Sequence, residues 1–330
     1  MISTIYLENE VRDHPVTKAL LLRFQNATVI PCDRYTEVFN RKAQNFRLQK
    51  KKPSLILARK HHGFVMKAPD SYGIGGTQNY YFSHMLNCIY DCRYCFLQGM
   101  YRSAHYVLFV NYEDFTRSME TILDEHPDDE VWFYSGYDCD SLAFDPVTCF
   151  TDFILPFFKK YDRARLEFRT KSTQIRSLLK HIPLSNCVVA FSLSPENITQ
   201  SLEAKTPPLI NRIESMRRLQ KAGWNVGIRF EPLIFSDDYK TRYGELFSIV
   251  ASQLDMSRIH SISVGAFRVP KPYFKTMVRL YPDEKLFAGP LEEEDGTISY
   301  QQDLQEEMLE WCSQQIKQFA PACHHYQCRN

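Results

Sequence analysis

The 330-residue chain is notable first for what it lacks. No stretch approaches the roughly 20 consecutive apolar residues that a membrane-spanning helix needs. The first residues, MISTIYLENEVRDHP, turn acidic and polar too soon to be read as a secretory leader. The expected compartment is therefore the cytoplasm. No internal repeat or low-complexity tract is present, which argues against a solenoid or a disordered linker protein. Charge of one sign is also missing. Lys and Arg number 40 against 39 Asp and Glu, a net of +1, so there is no strong global attraction to nucleic acid. One local exception stands out. From Arg41 to Lys67 there are nine basic residues (Arg41, Lys42, Arg47, Lys50, Lys51, Lys52, Arg59, Lys60 and Lys67) and no acidic one. Such a stretch is either a phosphate-binding patch or a solvated loop.

What is present is an ordinary globular composition, 44% apolar and 24% charged, able to bury a sizeable core. Short apolar segments alternate with segments of helical spacing. The candidate strands are Asn79–Phe82, Val131–Tyr134, Arg165–Arg169, Val188–Leu193, Asn225–Phe230 and Ser261–Ala266. Between them, Phe115, Met119, Ile122 and Leu123 share one helical face. Ile213, Met216 and Leu219 do the same ahead of Gly223, a normal helix end. Six such units predict an α/β fold with an open or partial (β/α) barrel, whose chemistry gathers at the carboxyl ends of the strands. Residues 1–70 read as a basic preface, 71–270 as the core, and 271–330 as a C-terminal extension ending in a helix over Gln301–Phe319.

Ten cysteines in a cytoplasmic chain are more naturally thiols or metal ligands than a disulfide framework. Three of them, Cys88, Cys92 and Cys95, fall within eight residues directly after the first candidate strand. Closely spaced thiolates let one loop wrap an iron–sulfur cluster. With no obvious fourth cysteine, one iron is left open to a substrate or cofactor. Two plainer explanations compete: structural zinc completed by His84, and coincidental buried thiols.

The C-x3-C-x2-C spacing, with Tyr94 before the last cysteine and repeated βα units after it, resembles the signature of the radical S-adenosylmethionine superfamily. The resemblance implies a (β/α)6 TIM-like partial barrel with N- and C-terminal extensions, a [4Fe–4S] cluster and bound S-adenosylmethionine. Its chemistry would be a 5′-deoxyadenosyl radical that abstracts hydrogen from a substrate. Within that superfamily the chain is similar to the spore photoproduct lyase family, DNA-repair enzymes that act on a cross-linked pyrimidine. The likeness rests on Ser54–Lys60, Cys95–Gln98, Val110–Asp114, Thr170-Lys171, Phe191-Ser192 and Lys221–Gly223.

That second resemblance implies that Lys171 and Ser192 contact S-adenosylmethionine, that DNA is the partner, and that a flavodoxin or ferredoxin supplies electrons. It also implies a hydrogen-donating cysteine backed by two tyrosines of the cluster loop. Here the cysteine's position falls on Tyr137, with Cys139 two residues on. Of the two tyrosines Tyr94 is kept, but the other is Phe96, which has no O–H. Tyr137, Cys139 and Tyr94 are therefore the candidate catalytic residues. Arg229 and Glu231, alternating with apolar neighbours on the fifth strand, are expected to face the cofactor. The rivals are a radical enzyme acting on another nucleic acid or on a protein, and a zinc-stabilised binding module. The tail Cys323–Cys328 is weighed as a metal site at a frayed terminus.

Overall fold

The structure is a computed structural model that describes residues 2–69 and 73–328. The boundary expected between residues 70 and 71 lies outside the described residues. All six expected strands are present, five of them one to three residues longer than expected and the fourth shifted by one residue. They lie side by side in chain order: Gln78–Phe82, Val131–Ser135, Ala164–Thr170, Cys187–Ser192, Asn225–Leu233 and Ile259–Ala266. All five pairings are parallel. Val65–Lys67 adds an antiparallel strand at one edge, and His324–Gln327 adds a parallel one at the other. The eight strands curl into a half-barrel. No described helix is long and apolar enough to cross a membrane.

The two faces of the sheet differ. One face carries Phe133, Leu166, Phe168, Val189, Phe191, Ile228 and Phe230, all fully buried. Helices such as Tyr112–Glu125 and Leu209–Ala222 carry matching apolar stripes, among them Phe115, Met119, Ile213 and Met216. The concave face combines an apolar cluster, Trp132, Tyr134 and Val188, with a polar layer. Glu167 and Arg229 meet there at 2.7 Å with no exposed side-chain surface on either. Arg229 also donates to the Ser261 carbonyl at 3.2 Å and hydroxyl at 3.0 Å. Arg169 donates to Glu167 at 3.0 Å and, one layer up, to Glu231 at 3.1 Å. Gly227 leaves room for this layer, since a Cβ there would lie 3.0 Å from the Arg229 guanidinium.

The stretch before residue 70 is not a free-standing preface. Its strands Thr28–Cys32, Thr4–Glu8 and Leu55–Ala58 form a parallel sheet that Tyr106–Phe109 and Met85–Leu86 complete. Those last two strands flank the cysteine loop, so the N-terminal sheet anchors it on both sides. The C-terminal extension folds back through helix Gln302–Phe319 and supplies the eighth barrel strand. The tail expected to fray is thus an ordered edge strand. No group of three or more His, Cys, Asp or Glu side chains among the described residues is drawn around a single ion position.

Burial alone would raise the Glu167 carboxyl, but Arg229 and Arg169 outweigh it and hold the group down at about 2. Its stabilisation is therefore present above the usual carboxyl range and is lost as pH falls from about 4.5 toward 2. Arg229→Met leaves that charge buried with one partner fewer. Urea unfolding at neutral pH should show a loss of about 3–5 kcal/mol. A variant within about 0.5 kcal/mol of the parent would contradict the role given to this pair.

Candidate active site

The cysteine loop is built from its ends inward. Asn87 takes a left-handed conformation (φ 67°), which asparagine tolerates better than most residues. Its amide donates to the carbonyls of Ser103 and His105, both at 2.8 Å. That closes the loop at its base. Asp91–Cys92 then pairs antiparallel with Glu203–Ala204. The Gln98 amide donates to Asp91 at 3.0 Å and to the Cys92 carbonyl at 3.1 Å. Beyond Cys95 the short helix Leu97–Met100 packs against helix Lys271–Leu280 so closely that Gly99 is required. A Cβ there would lie 2.2 Å from the Tyr273 carbonyl oxygen.

Cys88, Cys92 and Cys95 border one cavity of about 300 Å³. Its other walls come from the carboxyl ends of the strands: Gly136, Tyr137, Cys139, Asp140, Arg169–Lys171, Ser192, Glu231–Pro232, Gly265–Arg268 and, just past the last strand, Cys328. Burial pushes the Cys88 thiol up to about 12 and raises those of Cys92 and Cys95 as well. Three soft donors around a void, Cys92 buried and Cys88 and Cys95 half-buried, suit an iron–sulfur cluster, in which iron replaces the proton that a low-dielectric site would otherwise enforce. His84, the fourth ligand a zinc site would need, does not border the cavity. Its ring stacks on Phe150 at 4.0 Å.

Two groups that organise the site were not singled out from the sequence. Glu203 accepts hydrogen bonds from the Tyr94 hydroxyl, from Ser194 at 3.0 Å and from Arg212 at 2.5 Å. Arg212 in turn donates to the Ser192 carbonyl at 3.1 Å. Asp140 accepts from the Leu142 and Ala143 amides, the Thr170 hydroxyl and the Lys171 amide, at 2.6–3.0 Å. Neither belongs to a motif, because each acts on partners that only the fold brings near.

The expected site residues divide. Lys171, Ser192, Glu231, Tyr94, Tyr137 and Cys139 all border the cavity. The Lys171 ammonium lies 5.5 Å from the centre of the Tyr94 ring. Arg229 does not border it. Although it shares a face with Glu231, it lies one layer deeper and is spent on Glu167. Tyr137 and Cys139 do not continue a strand, since the strand stops at Ser135 and Gly136 turns at φ 88°. Tyr137 is 38% exposed, with its ring 4.4 Å from Tyr81 and 5.3 Å from Phe96. Cys139 is buried in the wall.

The basic stretch also divides. Lys50 is buried, 3.6 Å from Asp91 and 3.3 Å from the Tyr90 carbonyl. Arg59 pairs with Glu10 and Asp114. Lys60 is half-buried above the Phe109 and Phe115 rings, where burial lowers its pKa. Three of the nine cations are thus unavailable as open phosphate ligands.

A curled parallel sheet with three thiols on its first βα loop, facing a lysine and a serine at later strand ends, defines a radical S-adenosylmethionine enzyme. Comparison with known proteins narrows this. A family model described as spore photoproduct lyase matches residues 1–324. The chain is 24% identical over 335 residues to spore photoproduct lyase of Bacillus subtilis (strain 168), covering 96% of this chain and 95% of that one. It is 21% identical over 308 residues to the Clostridium acetobutylicum protein of the same name, covering 92% and 88%. A solved spore photoproduct lyase mutant with bound AdoMet and dinucleoside spore photoproduct superposes with a TM-score of 0.86 at 20% identity, covering 100% of this chain and 98% of that chain. The chain belongs to the spore photoproduct lyase family. With membership come a [4Fe–4S] cluster and S-adenosylmethionine as cofactors.

Anaerobic reconstitution should load iron and turn the protein brown. Replacing Cys88, Cys92 or Cys95 by Ala should abolish iron binding and colour while leaving far-UV circular dichroism unchanged. A Cys88→Ala protein that still binds a full complement of iron would contradict the assignment.

Proposed function

We propose that the protein reverses spore photoproduct, a cross-linked pyrimidine lesion of DNA, by hydrogen abstraction. The observation that carries this reading is the single cavity bounded on one side by three thiols and on the other by Lys171, Ser192 and the buried Cys139. Cys88, Cys92 and Cys95 would hold the cluster. Lys171 would meet the carboxylate of S-adenosylmethionine as a point charge, and Ser192 would add a polar contact beside it. When bound, the cofactors would supply a hydrogen-abstracting 5′-deoxyadenosyl radical at this cavity.

The protein's own part is to admit, orient and return. Tyr137, Tyr81 and Phe96 form an aromatic rim on which extruded bases can stack. This rim favours a nucleic-acid base over a protein substrate. Burial keeps the Cys139 thiol well above its ordinary pKa, so an S–H bond persists at the cavity wall. Cys139 is thereby equipped to give a hydrogen atom to a carbon radical, forming a C–H bond and leaving a thiyl. Tyr94, with its hydroxyl committed to Glu203, serves to position the loop. A flavodoxin or ferredoxin supplies the electron that starts each turnover.

With dinucleoside spore photoproduct, the Cys139→Ala protein should still release 5′-deoxyadenosine but yield at least about tenfold less repaired product. Unchanged repair by Cys139→Ala would remove Cys139 from the path. Wild-type protein that cleaves S-adenosylmethionine yet leaves the photoproduct intact would favour a different substrate.

A further inference from the structure

The basic stretch has no place at the cavity, and its open part lies elsewhere. Helix Phe46–Lys51 is fastened to the cysteine loop by the buried Lys50. On the same helix Arg47 and Lys51 stand four residues apart, so they share a face, and both are exposed. The Arg47 guanidinium lies 5.8 Å from the centre of the Tyr281 ring. Arg93, which sits in the loop between Cys92 and Cys95, lies 3.9 Å from the same ring. The Tyr281 hydroxyl donates to Gln98 at 2.9 Å. Gln98 in turn donates to the carbonyl of Cys92 at 3.1 Å. Surface cations are thus joined to a cluster-ligating residue through one phenol and one amide.

The acids nearby do not cancel this face. Asp91 is already engaged by Lys50, Gln98 and, at 3.9 Å, Arg93. Asp283 and Glu284 follow Tyr281, so the cationic part is the one made by the Phe46–Lys51 helix and Arg93.

We propose that this face is the docking site of a small acidic one-electron carrier protein. The proposal rests on the reading of Cys88, Cys92 and Cys95 as cluster ligands. One electron passes from the reduced carrier to the cluster; the carrier is oxidised, the cluster is reduced, and no proton or group moves. That electron must come from outside the chain, and the cavity mouth is taken by substrate. The remaining approach is through the thin layer behind Cys92. Redox encounters are small, typically below about 1,200 Å², and are steered by complementary charge. A few open cations over one ring meet that requirement.

The test uses reconstituted holoprotein, with oxidised flavodoxin as the probe in calorimetric titrations at low and high salt. Binding should weaken with salt. In the exposed double variant Arg47→Glu/Lys51→Glu it should weaken by about tenfold or more. Cluster bleaching by reduced flavodoxin should slow in the variant, while bleaching by dithionite, which needs no docking, stays as in the parent. Unchanged flavodoxin affinity would overturn the proposal. So would a variant that keeps flavodoxin affinity and loses duplex DNA affinity, which would make the face a nucleic-acid site. If dithionite bleaches nothing in the parent, the cluster reading itself falls.

Discussion

The buried Glu203 carboxylate sets the geometry of the site. It lies opposite Cys92 in a two-residue ladder, takes the Tyr94 hydroxyl from the cluster loop, and pairs with Arg212, which grips the Ser192 carbonyl. Burial alone would raise its pKa, yet Lys171 and Arg212 hold it below the ordinary carboxyl range. A fully buried ion pair gains little over an apolar one in net stability. Its value here is register: the loop bearing the thiols and the strand end bearing Ser192 are locked to one another by a single charge. The backbone ladder of Asp91–Cys92 with Glu203–Ala204 and the bond from the Arg93 amide to the Leu202 carbonyl at 2.7 Å reinforce that lock.

The same economy recurs beneath the cavity. Where an ordinary half-barrel would pack apolar layers, this one stacks Glu167 with Arg229, then Arg169 with Glu231. Arg169 belongs to both layers, so the floor of the site and the barrel interior are one network. Ser263 and Cys328 close it by donating to Glu231, Cys328 from just beyond the final strand at 3.4 Å. The C-terminal extension is therefore part of the cavity wall.

Much of this was legible in the sequence. The six strands are short apolar segments spaced by helical ones, and three cysteines in eight residues have few other uses. Lys171 and Ser192 came from the resemblance, and their places at strand ends, where such folds put ligands, agree with it. The failures have physical reasons. Arg229 and Glu231 share a face, but a face of a deep barrel has layers, and period-two spacing does not say which layer opens on the cavity. Lys50 looked like a phosphate ligand because its burial depends on Asp91, some forty positions away. Glu203 and Asp140 were invisible because their partners are drawn from unrelated segments. The N-terminal stretch looked separate because nothing local shows that its sheet is finished by strands around the cysteine loop.

The central claim is that a hydrogen atom passes between the lesion and an adenosyl group in the cavity between the cysteine loop and the strand ends. The most direct measurement is anaerobic incubation of reconstituted protein with S-adenosylmethionine, reductant and spore photoproduct deuterated at the abstractable position. The account predicts deuterium in the 5′-deoxyadenosine recovered. Unlabelled 5′-deoxyadenosine formed alongside repaired product would contradict it.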